Sequence, residues 1–344
     1  MLLMVAETDV VLNRLLFQYD LYPYRITPFE RVYKIETDRG LFALKKKKLT
    51  VHQIEHLKVT YQLSQNLVID AVTPLPSKYG DLVISGDGET CYLMPWIEET
   101  VPVTDLKERY RMLFIKAGQM HRATMRRDTQ NSDDLYAQLT QIAMARKQEW
   151  EGFLNVAEHH VYPSPFEQVV FDSAGIRLSH IQQAMTFFSR GEPKDEEGKG
   201  IGMRRALCHG RLNPRHLLIE RERCLLVNLE ECREDFFILE TASLMEQACV
   251  MYNGAPQWEK WLHDYLTACP LREEEGIFLF HLMLCPKAPS LFFNSYLTEK
   301  KKDEPGSIRK WMRFSRNHKL MLSSLWSWLE KEKKQAEAAS PKEA

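Results

Sequence analysis

No C-x-x-C pair occurs in the sequence. The seven cysteines, Cys91, Cys208, Cys224, Cys232, Cys249, Cys269 and Cys285, are scattered and odd in number. That argues against a disulfide framework or a zinc site and for small buried apolar residues. Excess charge of either sign is also missing, since 46 Lys and Arg face 47 Asp and Glu for a formal net charge of -1. Such a balance creates no global field to draw in nucleic acid or an anionic membrane. Long apolar runs are lacking too. The most apolar, Gly276 to Pro286, is shorter than a bilayer span and contains His281, so no membrane span is expected. Met1 to Val5 is followed at once by Glu7 and Asp9, which reads as the start of an amphipathic helix and not as a signal peptide; a cytosol-like compartment is expected. No internal repeat and no G-x-S-x-G elbow occur. Gly198-Lys199-Gly200-Ile201-Gly202 lacks the G-K-[ST] ending of a phosphate loop and reads as part of a flexible acidic loop. The neighbours His159 and His160 cannot share a helix face, which argues against a metal pair.

What is present is a chain of 344 residues with 44% hydrophobic content, enough for one large two-lobed domain or two ordinary ones. Residues 1–20 read as a helix. Tyr24 to Ile35 and Leu41 to Lys45 then form a strand pair about the turn Thr37-Asp38-Arg39-Gly40. Thr50 is placed to cap a helix over Val51 to Gln65. Two more strands, Leu82 to Ser85 and Cys91 to Met94, flank the turn Gly86-Asp87-Gly88. After Pro95-Trp96-Ile97 helices dominate: Leu106 to Ala123, Leu135 to His160, Ile176 to Arg190, and most of the chain to Lys331. The short runs Leu217 to Ile219 and Leu225 to Val227 interrupt them as strands. The expected layout is α+β, with a strand-rich N-lobe over residues 1–97, a helical C-lobe over 98–331 and a flexible tail over 332–344.

Three segments carry a resemblance, in order. Phe42-Ala43-Leu44-Lys45 is similar to the strand bearing the phosphate-binding lysine of kinases. Tyr92-Leu93-Met94-Pro95-Trp96-Ile97 looks like a hinge near 94–97, and the later helix holds Gly118-Gln119-Met120-His121-Arg122-Ala123. Leu207-Cys208-His209-Gly210-Arg211-Leu212-Asn213-Pro214-Arg215-His216-Leu217-Leu218-Ile219 resembles the catalytic loop of aminoglycoside phosphotransferases. Leu226-Val227-Asn228-Leu229-Glu230 resembles the metal-binding segment that follows it. The resemblance, over roughly residues 20–330, implies a two-lobed protein-kinase-like, aminoglycoside-phosphotransferase-like fold with a degenerate catalytic loop at 207–231.

The departures fall where that family keeps its chemistry. Its loop Asp is replaced by Arg211, its loop Asn by His216 and its metal-binding Asp by Asn228. Arg211 is always charged and has no acceptor, so it cannot be a base. Mg²⁺ prefers carboxylate oxygens, which neither Asn228 nor His216 supplies. No catalytic residues and no metal site are therefore expected, with His209, Arg211, His216, Asn228 and Glu230 as degenerate positions. Two arrangements remain open for the carboxylates: Glu230 and Glu231 bind a metal in a rearranged site, or Arg211 pairs with one of them and closes the loop without metal. Lys45, Glu55 and Met94 are the candidates for lining a nucleotide cleft, Glu55 being the expected partner of Lys45. Ile26 to Tyr33 holds no glycine where a kinase closes its loop over phosphates.

The loop, length and hinge region are most similar to the CotS-type family of spore-coat-associated kinase-like proteins, in particular its YsxE-type members. That resemblance implies a non-catalytic assembly protein made in the mother-cell cytoplasm and then held in the spore coat, with spore coat proteins as partners and no cofactor. The alternatives are an atypical small-molecule phosphotransferase or a nucleotide-sensing switch, and only these would use ATP and Mg²⁺. Residues 308–332 mix Trp311, Met312, Phe314, Leu322, Leu325, Trp326 and Trp328 with Arg309, Lys310, Arg313, Arg316 and Lys319. The aromatic side either packs on the helical lobe or docks a partner protein. Nucleic acid is not an expected partner, for want of a broad basic excess.

Overall fold

Period-two alternation in the first hundred residues builds one antiparallel sheet. The computed structural model describes residue 12 and residues 14–86, 89–126, 132–298 and 303–339. Most of the expected first helix, the tip of the turn at 87–88 and the end of the tail at 340–344 lie outside the described residues; residues 14–17 are helical. The strands are β1 (Pro23–Phe29), β2 (Val32–Thr37), β3 (Gly40–Lys46), β4 (Ile84–Gly86) and β5 (Glu89–Pro95), in the order β1-β2-β3-β5-β4. Side chains alternate between faces. Ile35, Leu44, Cys91 and Leu93 share one face and pack with Leu12, Leu16 and Leu21. The opposite face carries Ala43 beside Met94 and Lys45 beside Tyr92, directly across the ladder. The segment Tyr24 to Ile35 is two strands, not one, because Glu30 adopts a left-handed φ of 49° and turns the chain.

The chain divides into two compact units, Met1–Asp105 with Leu207–Glu234, and Leu106–Ala206 with Asp235–Ala344. The first holds the sheet and α1 (Val51–Gln65). Thr50 caps α1 as its sequence implies: its hydroxyl accepts from the Gln53 amide while the Gln53 side chain accepts from the Thr50 amide. The same unit includes the hairpin of β7 (Leu217–Glu220) and β8 (Arg223–Leu226), tied in where Leu226 donates to Asp70 and Val72 donates to Leu226. The loop at 207–231, expected in the helical lobe, thus packs with the strand-rich unit. Two further short strands, β6 (Arg205–Cys208) and β9 (Arg233–Phe236), lie where the chain passes between units.

The second unit holds α2 (Leu106–Thr124), α3 (Asp133–Glu158), α4 (Pro165–Phe188), α5 (Phe237–Met251), α6 (Trp258–Ala268), α7 (Glu273–Leu284), α8 (Ala288–Thr298) and α9 (Glu304–Ala339). Helix α4 starts well before Ile176 because Ser164 and Glu167 form a capping box around Pro165 in the first turn. At Gly118 a Cβ would stand 2.9 Å from both the Ala268 Cβ and the Tyr265 carbonyl, so glycine permits the close approach of α2 and α6. Trp150, Phe153, Phe166, Phe293, Tyr296 and Trp311 form one continuous aromatic cluster. Trp311, Phe314, Met321 and Leu325 are buried, so the aromatic side of α9 packs within its own unit while Met312 and Trp326 stay exposed. The helix continues to Ala339, through most of the segment expected to be a frayed tail. Glu273–Thr298 is apolar enough for a bilayer, at a mean hydropathy of 1.4, but 61% of the window is buried in the protein. The stretch is broken between α7 and α8 at Pro286 and reads as core helix.

Candidate functional site

Lys45 is the centre of the site, and its position follows from strand alternation. Leu44 points into the apolar core, so Lys45 must point to the other face, where it is only 9% exposed. Its Nζ donates to Asn228 Oδ1 at 2.5 Å and to Glu230 Oε1 at 2.6 Å. Tyr92, opposite Lys45 in the ladder, donates its hydroxyl to the same Glu230 oxygen at 2.5 Å. Lys47 stands 3.7 Å from Glu230 and 3.6 Å from Glu231, and Gln53 at the start of α1 donates to Glu231 at 2.9 Å.

The expected pairing of Lys45 with Glu55 is not formed. Glu55 is largely exposed on α1 and lies 3.7 Å from His52, while Lys45 reaches the 228–230 segment instead. The Arg211 salt bridge to Glu230 or Glu231, one of the two arrangements left open by the sequence, is not made among the described residues. Arg211 is exposed, and the ion pair that closes this part of the protein takes its cation from Lys45, with Lys47 at longer range. Met94 does lie on the Lys45 face of the sheet, buried next to Ala43.

Backbone geometry brings Asn228 and Glu230 to the lysine. Asn228 sits in the left-handed region at φ 63°, ψ 50°, which Asn tolerates better than most side chains. It starts the 3₁₀ turn Leu229–Glu231. Gly210 has φ 81°, and a Cβ there would overlap the Glu231 carbonyl, so the loop and the turn approach closely through glycine. His209 is fully buried. Its Nε2 donates to the Val227 carbonyl at 2.8 Å and its Nδ1 accepts from the Arg211 amide at 3.3 Å, which places the ring proton on Nε2. The His216 ring stacks on His209 at 5.3 Å.

The electrostatics follow from these contacts. Burial alone would raise the Glu230 carboxyl, but the Lys45 charge, with hydrogen bonds from Lys45 and Tyr92, holds it at about 2. Burial pulls the Lys45 ammonium down against the opposing pull of Glu230. Burial, followed by the neighbouring His209, lowers His216 to about 4, so its ring is neutral at physiological pH. A general base for a substrate hydroxyl is therefore not supplied by Arg211. A magnesium ion needs hard oxygens not already committed to cations. Glu230 Oε1 already holds Lys45 and Tyr92 with Lys47 close by, and Asn228 Oδ1 holds Lys45. Glu231 is shared by Lys47 and Gln53. One oxygen of each carboxylate, Glu230 Oε1 and Glu231 Oε1, is thus already engaged by protein donors.

No family model matches the sequence, and no curated protein matches it. Solved structures do. An aminoglycoside phosphotransferase from Alicyclobacillus acidocaldarius superposes at a TM-score of 0.73 and 13% identity, covering 92% of this chain and 95% of that one. The fold is protein-kinase-like. Spectinomycin phosphotransferase, solved with ADP and spectinomycin, is similar at a TM-score of 0.55 and 10% identity, over 92% of this chain and 97% of that one. An amicoumacin kinase bound to AMP-PNP gives 0.52 and 12%, over 92% and 93%. Within this kinase-like fold, Tyr92, Lys47 and Gln53 are the site residues that sequence reasoning passed over. Tyr92 alone had a usable signal, because strand pairing of Phe42–Lys45 with Tyr92–Met94 places it beside Lys45.

Proposed function

We propose that this chain is a catalytically silent kinase-like protein that works as a structural or assembly component of the bacterial endospore coat. One observation carries the silence: Lys45, Asn228, Glu230 and Tyr92 satisfy one another in a closed, buried ion-pair network. Phosphoryl transfer depends on charge neutralisation at the transferring phosphate. Here the lysine is already neutralised by a protein carboxylate. The coat assignment rests on the overall resemblance of the loop, the length and the hinge region to CotS-type proteins and names coat proteins as the partners. Fold does not fix function, so the changed site weighs more than the shared architecture.

A second reading is an atypical small-molecule phosphotransferase or nucleotide-binding switch. The names of the solved structures favour it, since they are phosphotransferases and one holds ADP with its antibiotic. It requires Lys45 to leave Glu230 on binding nucleotide. Expression of the tagged full chain in a sporulating endospore former separates the two. A ring at the spore periphery and recovery in the coat extract are expected. Diffuse signal in the mother cell and recovery in the soluble fraction would refute the coat assignment.

A further inference from the structure

The aromatic side of α9 packs within its own unit, so the side of that helix turned to solvent is the one left without a role. No Asp or Glu occurs between Glu304 and Glu330, whereas Arg309, Lys310, Arg313, Arg316 and Lys319 all fall in that stretch. In a chain whose charges otherwise balance, this is a local excess of one sign. Positions 309, 313, 316 and 320 recur at the spacing of one helix face, with 312 and 319 beside them. Arg309, Arg316 and Lys319 are exposed and Arg313 is half-buried. Met312 and Leu320 stand among them, 58% and 45% exposed. From Arg309 to Lys319 the row is about 15 Å long at the rise of an α-helix. Among the described residues, none of these cations forms an ion pair.

Two of the cations are held in place without being neutralised. Arg313 Nη1 donates to Asn253 Oδ1. Arg316 donates from Nη2 to the Gly254 carbonyl at 3.1 Å and from Nε to Asn317 Oδ1 at 3.2 Å. Asn317 is itself fully buried, and its Nδ2 donates to the Cys249 and Tyr252 carbonyls at 3.2 and 2.9 Å. Every one of these acceptors is neutral. Burial, and then the charge of Arg316, pull the Arg313 guanidinium down. The charge that Arg313 feels is therefore a second cation and not a carboxylate. A guanidinium that is already oriented loses less freedom when an anion arrives.

We propose that this face of α9 docks an acidic amphipathic helix of a partner protein. Its carboxylates meet Arg309, Arg313, Arg316 and Lys319, and its apolar side chains cover Met312 and Leu320. A single helical row of cations is matched by a row of carboxylates at the same i, i+4, i+7 spacing. Arg and Met are among the side chains enriched in protein interfaces. A nucleic acid would meet the cations and leave Met312 and Leu320 uncovered. A membrane surface fits less well, because the wide apolar side that an interfacial helix inserts is already buried in the protein at Trp311, Phe314, Met321 and Leu325. This inference rests on α9 and is independent of the Lys45 site and of the coat assignment.

The test is fluorescence anisotropy of the full chain with a labelled synthetic helix of the repeat Leu-Glu-Glu-Ala-Leu-Glu-Ala. Its counterpart with Lys for Glu is the control, and phosphatidylglycerol vesicles and duplex DNA are competitors. The acidic helix should bind, its counterpart should not, and neither competitor should displace it. Arg309→Glu with Lys319→Glu should weaken binding by at least about tenfold, because like charges then face each other across the interface. Among the described residues neither side chain donates a hydrogen bond within the protein, so circular dichroism should match the unaltered chain. The same change in net charge made in the strand-rich unit, Arg39→Glu with Lys58→Glu, should leave binding within about twofold, since distant surface charges are screened. No binding of the acidic helix, equal binding of its counterpart, displacement by vesicles or DNA, or an equal loss in both double variants would overturn the proposal.

Discussion

A lysine on a strand usually keeps its ammonium in water and buries only its stem. Lys45 does not, and its charge is tolerable only because Glu230 and Asn228 meet it. Removing one partner of such a pair strands the other, at a cost of about 3–5 kcal/mol, whereas replacing both by apolar groups is often neutral. Lys45→Met should therefore lower the stability measured by urea denaturation by about that amount, and Lys45→Met with Glu230→Leu should recover most of it. A loss below about 1 kcal/mol for the single variant would show that the pair does not hold the fold. The same residues set a pH dependence. Glu230 and His216 both have folded values below their ordinary ones, so the unfolded chain takes up protons first and acid favours unfolding. The His216 contribution is complete above about 6.5 and is lost as pH falls through about 4. That of Glu230 is complete above about 4.5 and is lost as pH falls through about 2. The urea midpoint should thus decline between pH 6.5 and 4, and His216→Phe should flatten that decline; an unchanged slope would contradict the assignment.

At the scale of elements, α1 shows how local signals and long-range placement part company. Its start is written in Thr50 and Gln53, and its end in the turn at 66–68, where Leu67 donates to Ser64 and Val68 donates to Leu63. Leu67 occupies the left-handed position of that cap at φ 57° and is 90% exposed, so its side chain gains nothing from packing. Leu67→Gly should raise stability by about 0.5–1 kcal/mol, seen as a higher urea midpoint; a lower midpoint would mean that Leu67 has a contact or role of its own. Capping chemistry of this kind was readable at Thr50 and equally present at Ser164-Pro165-Phe166-Glu167, where apolar periodicity drew attention to Ile176 instead. The strand bearing Lys45 and the loop around Gly210 were also legible, because alternation and a glycine at a close approach leave marks in sequence. The partner of Lys45 was not. Glu55 follows at the spacing expected of a helix carboxylate, yet it is turned to solvent, and the true partner lies 185 residues away. A contact over that separation depends on tertiary packing that no local pattern encodes.

At the scale of the whole molecule, the kinase-like fold is kept while the groups that would serve phosphoryl transfer are engaged with one another. The 207–234 segment belongs to the strand-rich unit, so the lysine strand and the degenerate loop are parts of one packed body. Within it, ammonium and hydroxyl groups hold Glu230, and an imidazole neutral above about pH 4 stands at His216. The melting temperature of the full chain with and without ATP, in excess Mg²⁺ and then Mn²⁺, tests this most directly. A ligand bound only by the folded state at about 100 times its Kd adds about 2.7 kcal/mol, enough to move the transition visibly. The melting temperature should be the same in every mixture; a metal-dependent rise with ATP would contradict a closed, silent site.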